Sequence, residues 1–404
     1  MSALHGAFEQ GDRDIKLGKL NLADLPPLPS GQANELAAEP VAAATSAVPV
    51  VPAKPTPAHI AENLHVAPPA PPSHAQQLTA KAQAANVNHD VAAAANEASE
   101  TETSTPVYSG PPPAALRSCI LDLTEPIAKR THAAFYLRTL GTPAAVEIIL
   151  EALQQRQDSA LMRHELAYIC GQVGNPLACS AMAKILQDES DDVLVRHECA
   201  EALGAIGHAS STAVLAKYTT HHERDISETC QVAIDLIEYR NSPACAAEKQ
   251  SRGSSKYLSV DPAPPYAEKK PVSVLLADLQ NPARSLFLRY RAMFSLRDQG
   301  SDEAALALCQ GLKDGSALFR HEIAYVLGQM QMAVTVDALA EVLRNTEEHR
   351  MVRHEAAEAL GSIGGEDVEM ILGDFLDDPE VVVTESCEVA LDTLDYWEEF
   401  RGHK

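Results

Sequence analysis

The sequence predicts an all-α protein, an α-solenoid of eight stacked helix pairs in two pseudo-twofold-related halves, preceded by a disordered extension. Three observations carry that expectation. From about Pro113 onward, apolar residues recur three and four apart, the period of an amphipathic helix, and Gly, Pro, Asp and Asn interrupt the pattern at short intervals. The alternation of apolar and polar residues that marks a half-buried strand is missing, and aromatic residues make up only 4% of the chain. Residues 160–240 also recur as 317–397 at a constant offset of 157. Ala160-Leu161-Met162-Arg163-His164-Glu165 answers Ala317-Leu318-Phe319-Arg320-His321-Glu322, and Glu201-Ala202-Leu203-Gly204 answers Glu358-Ala359-Leu360-Gly361. Such self-similarity marks a repeat array whose units bury their apolar faces on one another.

Residues 1–112 carry 15 of the 26 prolines and runs such as Val91-Ala92-Ala93-Ala94-Ala95, with few large apolar residues to offset the entropy of ordering. They are expected to be disordered. Their start lacks the basic region and apolar run of a secretory signal, and no 18-residue apolar segment occurs in the chain, so a soluble, cytoplasmic protein is expected. The N-terminal half, 113–240, divides into pairs at 113–141, 142–174, 175–207 and 208–240. In the third of these, Val195, Cys199, Ala202, Leu203 and Ile206 share one helical face, and Gly207 suits the helix end. Ala200, Ala202 and Gly204 are small enough to let a neighbouring helix come close. Residues 241–270 contain Ser-Arg-Gly-Ser-Ser and Asp261-Pro262-Ala263-Pro264-Pro265, which cannot continue a helix stack and predict a flexible linker. The C-terminal half, 271–404, supplies pairs at 271–300, 301–331, 332–364 and 365–397.

The net charge of −24, from 32 basic and 56 acidic residues, is shared as −6 on the extension and −18 on the rest. A surface that acidic repels phosphate backbones and attracts cationic partners, which argues against nucleic-acid binding. The eight cysteines form no C-x-x-C, and most lie within apolar helical patterns. Buried thiols are the expectation for them, rather than disulfides or zinc ligands.

Four His-Glu pairs, each following an arginine, stand out: His164-Glu165, His197-Glu198, His321-Glu322 and His354-Glu355. The first two are 33 residues apart, as are the last two, so equivalent turns of neighbouring units carry them. A single His-Glu dipeptide early in a helix is ordinary, because the carboxylate complements the helix dipole. Four copies confined to the middle repeats of each half are not required by the fold; the fourth repeat has Asp225-Ile226-Ser227-Glu228-Thr229 at that place. Packed helices lie about 8–10 Å apart, so inward-facing histidines of adjacent units can reach one metal ion. Four imidazoles and four carboxylates without thiolate suit iron, manganese or zinc, and two metals across a pseudo-dyad match the geometry of bimetallic sites. His208, His221, His222 and His349, in segments between helices, are expected at the surface, as are His5, His59, His65, His74 and His89 in the extension.

With two Arg-His-Glu helices 33 apart in each half, residues 113–400 resemble deoxyhypusine hydroxylase, a HEAT-repeat di-iron monooxygenase family. All eight metal-site positions of the family have their counterparts in His164, Glu165, His197, Glu198, His321, Glu322, His354 and Glu355. The resemblance implies two Fe2+ per chain, O2 as co-substrate, an unidentified electron donor, and hydroxylation of the deoxyhypusine side chain of a translation initiation factor to hypusine. It implies no membrane and no nucleic acid. Within the set, the histidines with Glu198 and Glu355 are expected to be the stronger iron ligands, and Glu165 and Glu322 to meet substrate nitrogen. The competing reading is a non-catalytic HEAT-repeat scaffold whose His-Glu pairs touch a basic partner; a lyase or isomerase of the HEAT-like bilin-binding type ranks third.

Overall fold

The computed structural model describes residues 110–251 and 255–402, and every regular element among them is helical. The first arm comprises α1 (Pro113–Leu121) and α2 (Ile127–Leu140), α3 (Pro143–Leu153) and α4 (Ala160–Val173), α5 (Cys179–Gln187) and α6 (Val193–Ile206), then α7 (Ala209–Leu215) and α8 (Arg224–Arg240). After α9 (Pro243–Ser251), the second arm pairs α10 (Val272–Leu279) with α11 (Leu286–Gln299), α12 (Asp302–Cys309) with α13 (Ala317–Met330), α14 (Val336–Arg344) with α15 (Arg350–Ile363), and α16 (Glu366–Gly373) with α17 (Val381–Gly402). Eight helix pairs thus stand where the apolar period placed them. The predicted extension, residues 1–112, falls almost wholly outside the described residues.

The second helix of every pair faces inward, and neighbours pack in the order α2, α4, α6, α8, then α11, α13, α15, α17. The sequence provides for that close stacking. A Cβ added to Gly204 would lie 2.6 Å from the Cβ of Ala233, and one on Gly361 would lie 2.6 Å from that of Ala390, so α6 on α8 and α15 on α17 each need a bare backbone at the crossing. The expected stop at Gly207 is a left-handed residue, φ 68°, whose amide donates to the Leu203 carbonyl.

A second device joins the two helices of a pair. Arg130, Arg163, Arg196, Arg289 and Arg353 each send Nε back ten residues to a carbonyl at the end of the outer helix: Ile120, Leu153, Leu186, Leu279 and Leu343, at 2.7–3.2 Å. The rest of the guanidinium reaches a carboxylate, as in Arg163 to Asp191 at 2.6 and 2.8 Å and Arg353 to Asp378 at 3.1 and 2.6 Å. The arginine before the His-Glu pair is therefore a repeat fastener. Arg320 varies the theme, bonding the Asp314 carbonyl and Glu348.

The two arms close into a ring. Helix α8 packs on α11 and α13, while α17 packs on α2 and α4. Each arm has its own apolar core, yet Val389 of the second arm sits in the core of the first, and Val232 and Leu236 of the first sit in that of the second. A third cluster, Leu161, Leu194, Met351 and Val382, bridges both. Polar contacts finish the seam: His132 Nε2 lies 3.0 Å from Asp392, and Ser316 donates to Glu228 at 2.6 Å.

The joining segment departs from the flexible linker expected of 241–270. Residues 243–251 form α9, and 255–270 lie against the ring instead of hanging free. Ala263 is fully buried, Asp261 accepts two bonds from Arg297 at 2.9 and 2.8 Å, and the Tyr266 amide donates to Ser295. Composition reads Pro and Ser as loop material, but it does not register that an extended strap can be held by side chains of the helices it crosses. Seven of the eight cysteines are buried and Cys309 is partly so, all as free thiols.

Candidate metal centre

Helices α4, α6, α13 and α15 start on side-chain caps: Ser159, Asp192, Ser316 and His349 each accept a backbone amide of the first turn. Every cap stands five residues before the histidine, so the four imidazoles emerge one turn into four parallel-stacked helices. Ring closure then brings the arms together. Ring centroids lie 5.4 Å apart for His164 and His197, 5.5 Å for His321 and His354, 6.1 Å for His164 and His321, 5.1 Å for His164 and His354, and 5.4 Å for His197 and His321. All eight residues of the four pairs are at most 4% exposed.

The carboxylates divide into two kinds. Glu198 Oε2 lies 3.2 Å from Nε2 of His164, and Glu355 Oε2 lies 3.4 Å from Nε2 of His321, each reaching the imidazole of the preceding repeat. Glu165 instead turns to its own neighbour, Oε1 lying 3.1 Å from Nδ1 of His164. Ligand-competent atoms converge within 4.8 Å in His164 with His197 and His321, in His321 with His354 and Glu355, and in His197 with Glu198 and Glu201.

Such a site is short of positive charge. Burial pushes the Glu165 carboxyl up to about 7, with Glu358 adding repulsion, and it holds Glu322 and Glu201 well above the ordinary carboxylate range. Burial and the neighbouring imidazoles hold His197 well below its usual value, and burial lowers His354 to about 4. His164 moves the other way: burial opposes its charge, but Glu198 and Glu165 overcome that and raise it well above 6.5. Both ring nitrogens of His197, His321 and His354, with Glu165 Oε2, Glu322 Oε1 and Glu355 Oε1, are buried without a hydrogen-bond partner among the described residues. Orphaned nitrogen and oxygen donors at this density are costly unless a cation collects them. The residues fit a metal centre of the N/O type.

The surrounding pocket is narrow and extends from the imidazoles past Tyr168 and Tyr325 to the strap at Val260, Asp261 and Pro262. The tyrosine hydroxyls meet at 3.0 Å across the pseudo-dyad. Gln172 takes the Val260 amide at 2.8 Å, and Gln329 donates to Ser259 Oγ at 3.0 Å and to the Tyr325 hydroxyl at 2.9 Å. The sequence reading missed these residues together with Glu201 and Glu358. Their signal was present: Tyr168 and Gln172 follow His164 at four and eight residues, Tyr325 and Gln329 follow His321 likewise, and Glu201 and Glu358 follow His197 and His354 at four. Residues at such spacing share a helix face, so the face that bears the histidine continues as the pocket wall. Of the histidines expected at the surface, His208, His222 and His349 are exposed, whereas His221 is largely covered and lies 3.0 Å from Glu189. Those of the extension lie outside the described residues.

Comparison with known proteins follows the same lines. The model of HEAT repeats matches residues 114–195 and 304–392, and that of the PBS lyase HEAT-like repeat matches 195–220 and 288–314. The chain is 47% identical over 282 residues to the deoxyhypusine hydroxylase of Bos taurus, covering 70% of this chain and 91% of that one, and 45% identical to the enzyme of Homo sapiens over the same shares. The solved structure of human deoxyhypusine hydroxylase in complex with glycerol superimposes with a TM-score of 0.66 at 44% identity, covering 70% of this chain and 96% of that one.

Proposed function

The chain belongs to the deoxyhypusine hydroxylase family and is an enzyme that hydroxylates the deoxyhypusine side chain; from that premise we propose how its own residues carry the reaction. The convergence of four imidazoles and four carboxylates from both arms supports a di-iron centre. His164, His197, His321 and His354, with Glu198 and Glu355, would hold the two irons. The reach of Glu198 to His164 and of Glu355 to His321 supports that division, since a carboxylate lying against an imidazole nitrogen is placed to share its ion. When bound, the iron pair supplies activation of O2 for insertion of one oxygen atom into a C–H bond.

The remaining work belongs to the protein. Glu165 and Glu322 stand outside the ligand-competent groups, each keeps an oxygen without a hydrogen bond among the described residues, and both are placed to pair with the ammonium groups of the substrate arm. Tyr168 and Tyr325 supply flat apolar faces for its methylenes at the pocket mouth. Burial of the eight residues keeps bulk water from the reacting carbon. The acidic surface favours encounter with a basic arm. The substrate protein is proposed to be a translation initiation factor, with an external electron donor and a cytoplasmic setting; no helix among the described residues is long and apolar enough to cross a membrane.

Elemental analysis with a visible absorption spectrum, followed by turnover of a deoxyhypusine-bearing protein, tests this reading. About two irons per chain, a visible band under air and a gain of one oxygen atom in the substrate are expected. Stoichiometric zinc without a visible band, or full activity in the metal-free protein, would refute it.

A further inference from the structure

The substrate arm has two different ends, but the cleft that receives it is nearly twofold symmetric: His, Glu, Tyr and Gln recur at the same offset in both arms. Something must choose a direction. The matched carboxylates Glu201 and Glu358 differ in what surrounds them. Glu358 is 1% exposed, 3.5 Å from His354 Nδ1, and accepts from Ser386 Oγ at 3.3 Å. Glu201 is only partly buried and, although its carboxylate lies within 4.8 Å of ligand atoms of His197 and Glu198, it has neither a hydrogen bond nor an ion pair among the described residues. Beside it a second, narrow cavity, with room for a group about the size of a water molecule, adjoins the main pocket at Glu201 and Pro262 and is lined by Val232, Leu236, Leu318 and Tyr290. Tyr290 is 1% exposed, and its hydroxyl has no hydrogen-bond partner among the described residues. At the mirror positions stand Thr131 for Tyr290 and Thr393 for Leu236, each with its hydroxyl engaged inside the first or second arm's own packing. The symmetry is broken on one side alone, by an unengaged carboxylate and a buried, unengaged phenol.

We propose that Glu201, with Tyr290 above it, receives the terminal ammonium of the substrate arm and so fixes the single direction in which the arm lies across the pseudo-symmetric cleft. An ammonium offers three donors. The Glu201 carboxylate takes one as a charge-assisted bond and the Tyr290 oxygen accepts another, so that the narrow cavity holds the ammonium head while the methylenes next to the nitrogen stay in the main pocket beside Pro262. This inference rests on the proposed hydroxylase centre.

The test uses the full-length, iron-loaded chain and two substrate proteins, one bearing deoxyhypusine and one whose arm ends in methyl instead of ammonium. The wild type is expected to favour the ammonium-ended arm in kcat/KM by about 10- to 100-fold, the range of a hydrogen bond to a charged group. Glu201→Gln should lose that preference through KM while keeping its iron, Glu201→Asp should recover part of it, and Glu358→Gln should retain it. Tyr290→Phe should lower it several-fold, which keeps the test alive should Glu201→Gln not fold. Undiminished preference in Glu201→Gln, its transfer to Glu358→Gln, no preference in the wild type, or loss of iron from Glu201→Gln would each overturn the assignment. A wild type that holds iron yet leaves deoxyhypusine unchanged would overturn the proposed centre as well, whereas an active wild type with an unmoved Glu201→Gln overturns this inference alone.

Discussion

Helices α6 and α15 occupy the same place in the two arms and carry the same triplet, Arg196-His197-Glu198 and Arg353-His354-Glu355, but they are fastened differently. Arg353 forms a two-pronged pair with Asp378, both side chains 4% exposed, and His354 is backed by Glu358. Arg196 reaches Glu189, whose side chain is 55% exposed, and His197 Nε2 lies 3.8 Å from Glu198, against 3.5 Å from His354 Nδ1 to Glu358; among the described residues neither imidazole makes a hydrogen bond. The second arm thus holds its ligand helix from behind with buried charge, while the first leaves its own helix less braced; Glu201 and Glu358 both line the pocket, but Glu358 is backed by His354 and Ser386. A symmetric ligand set on an asymmetric scaffold would let two metal ions be held alike while the substrate is held one way.

The sharpest way to break the comparison is at the shared residues. His197→Ala and His354→Ala are each expected to remove iron and abolish hydroxylation, since each withdraws one imidazole of four; metal analysis and turnover measure it, and a variant that keeps two irons and full turnover would remove that histidine from the ligand set. The carboxylates should separate. Glu198→Ala and Glu355→Ala are expected to lose iron, while Glu165→Ala and Glu322→Ala keep it and raise KM. If the latter two lost iron as completely as His164→Ala, the division between ligand and substrate carboxylates would fail.

The fasteners come next in size. Arg353→Ala strands the buried Asp378 carboxylate and should destabilise the fold by about 3–5 kcal/mol. Arg196→Ala frees a largely exposed Glu189 and should cost clearly less, mainly the bond to the Leu186 carbonyl. Urea unfolding of the metal-free proteins compares them, and equal losses would dissolve the contrast between the arms.

These arginines also show what the sequence could and could not disclose. The eight helix pairs, the duplication and the His-Glu set were legible because apolar period and exact spacing are local signals that stacking preserves. The neighbouring arginine was visible too, but its role was not, because its partners lie ten residues back and a repeat ahead. Ring closure, the strap over the pocket and the engagement of Glu358 but not Glu201 depend on contacts between segments that share no sequence period. Tyr168 and Gln172 fall between these cases: continuing the His164 face by four and eight residues would have found them.

The smallest expected effect concerns charge. Without a cation, burial holds Glu165 near 7, and Glu198 and Glu165 outweigh burial to hold His164 well above 6.5, so His164 keeps its proton at neutral pH and Glu165 keeps part of its own. A raised folded-state pKa stabilises the fold fully below the unfolded value, near 4.5 for the carboxyl and 6.5 for the imidazole, and that contribution disappears as pH rises through the folded value. A metal ion or a substrate ammonium replaces those protons. Binding of Zn2+ to the metal-free protein near pH 7 is therefore expected to release about one proton or more, seen as a titration enthalpy that changes with the ionisation enthalpy of the buffer. Acidification should weaken binding as Glu165 and His164 take their protons back, and expel the metal once His354 protonates, near pH 4. Enthalpies identical in two buffers would mean that the site is already deprotonated, and that the imbalance of carboxylates over cations does not govern its affinity.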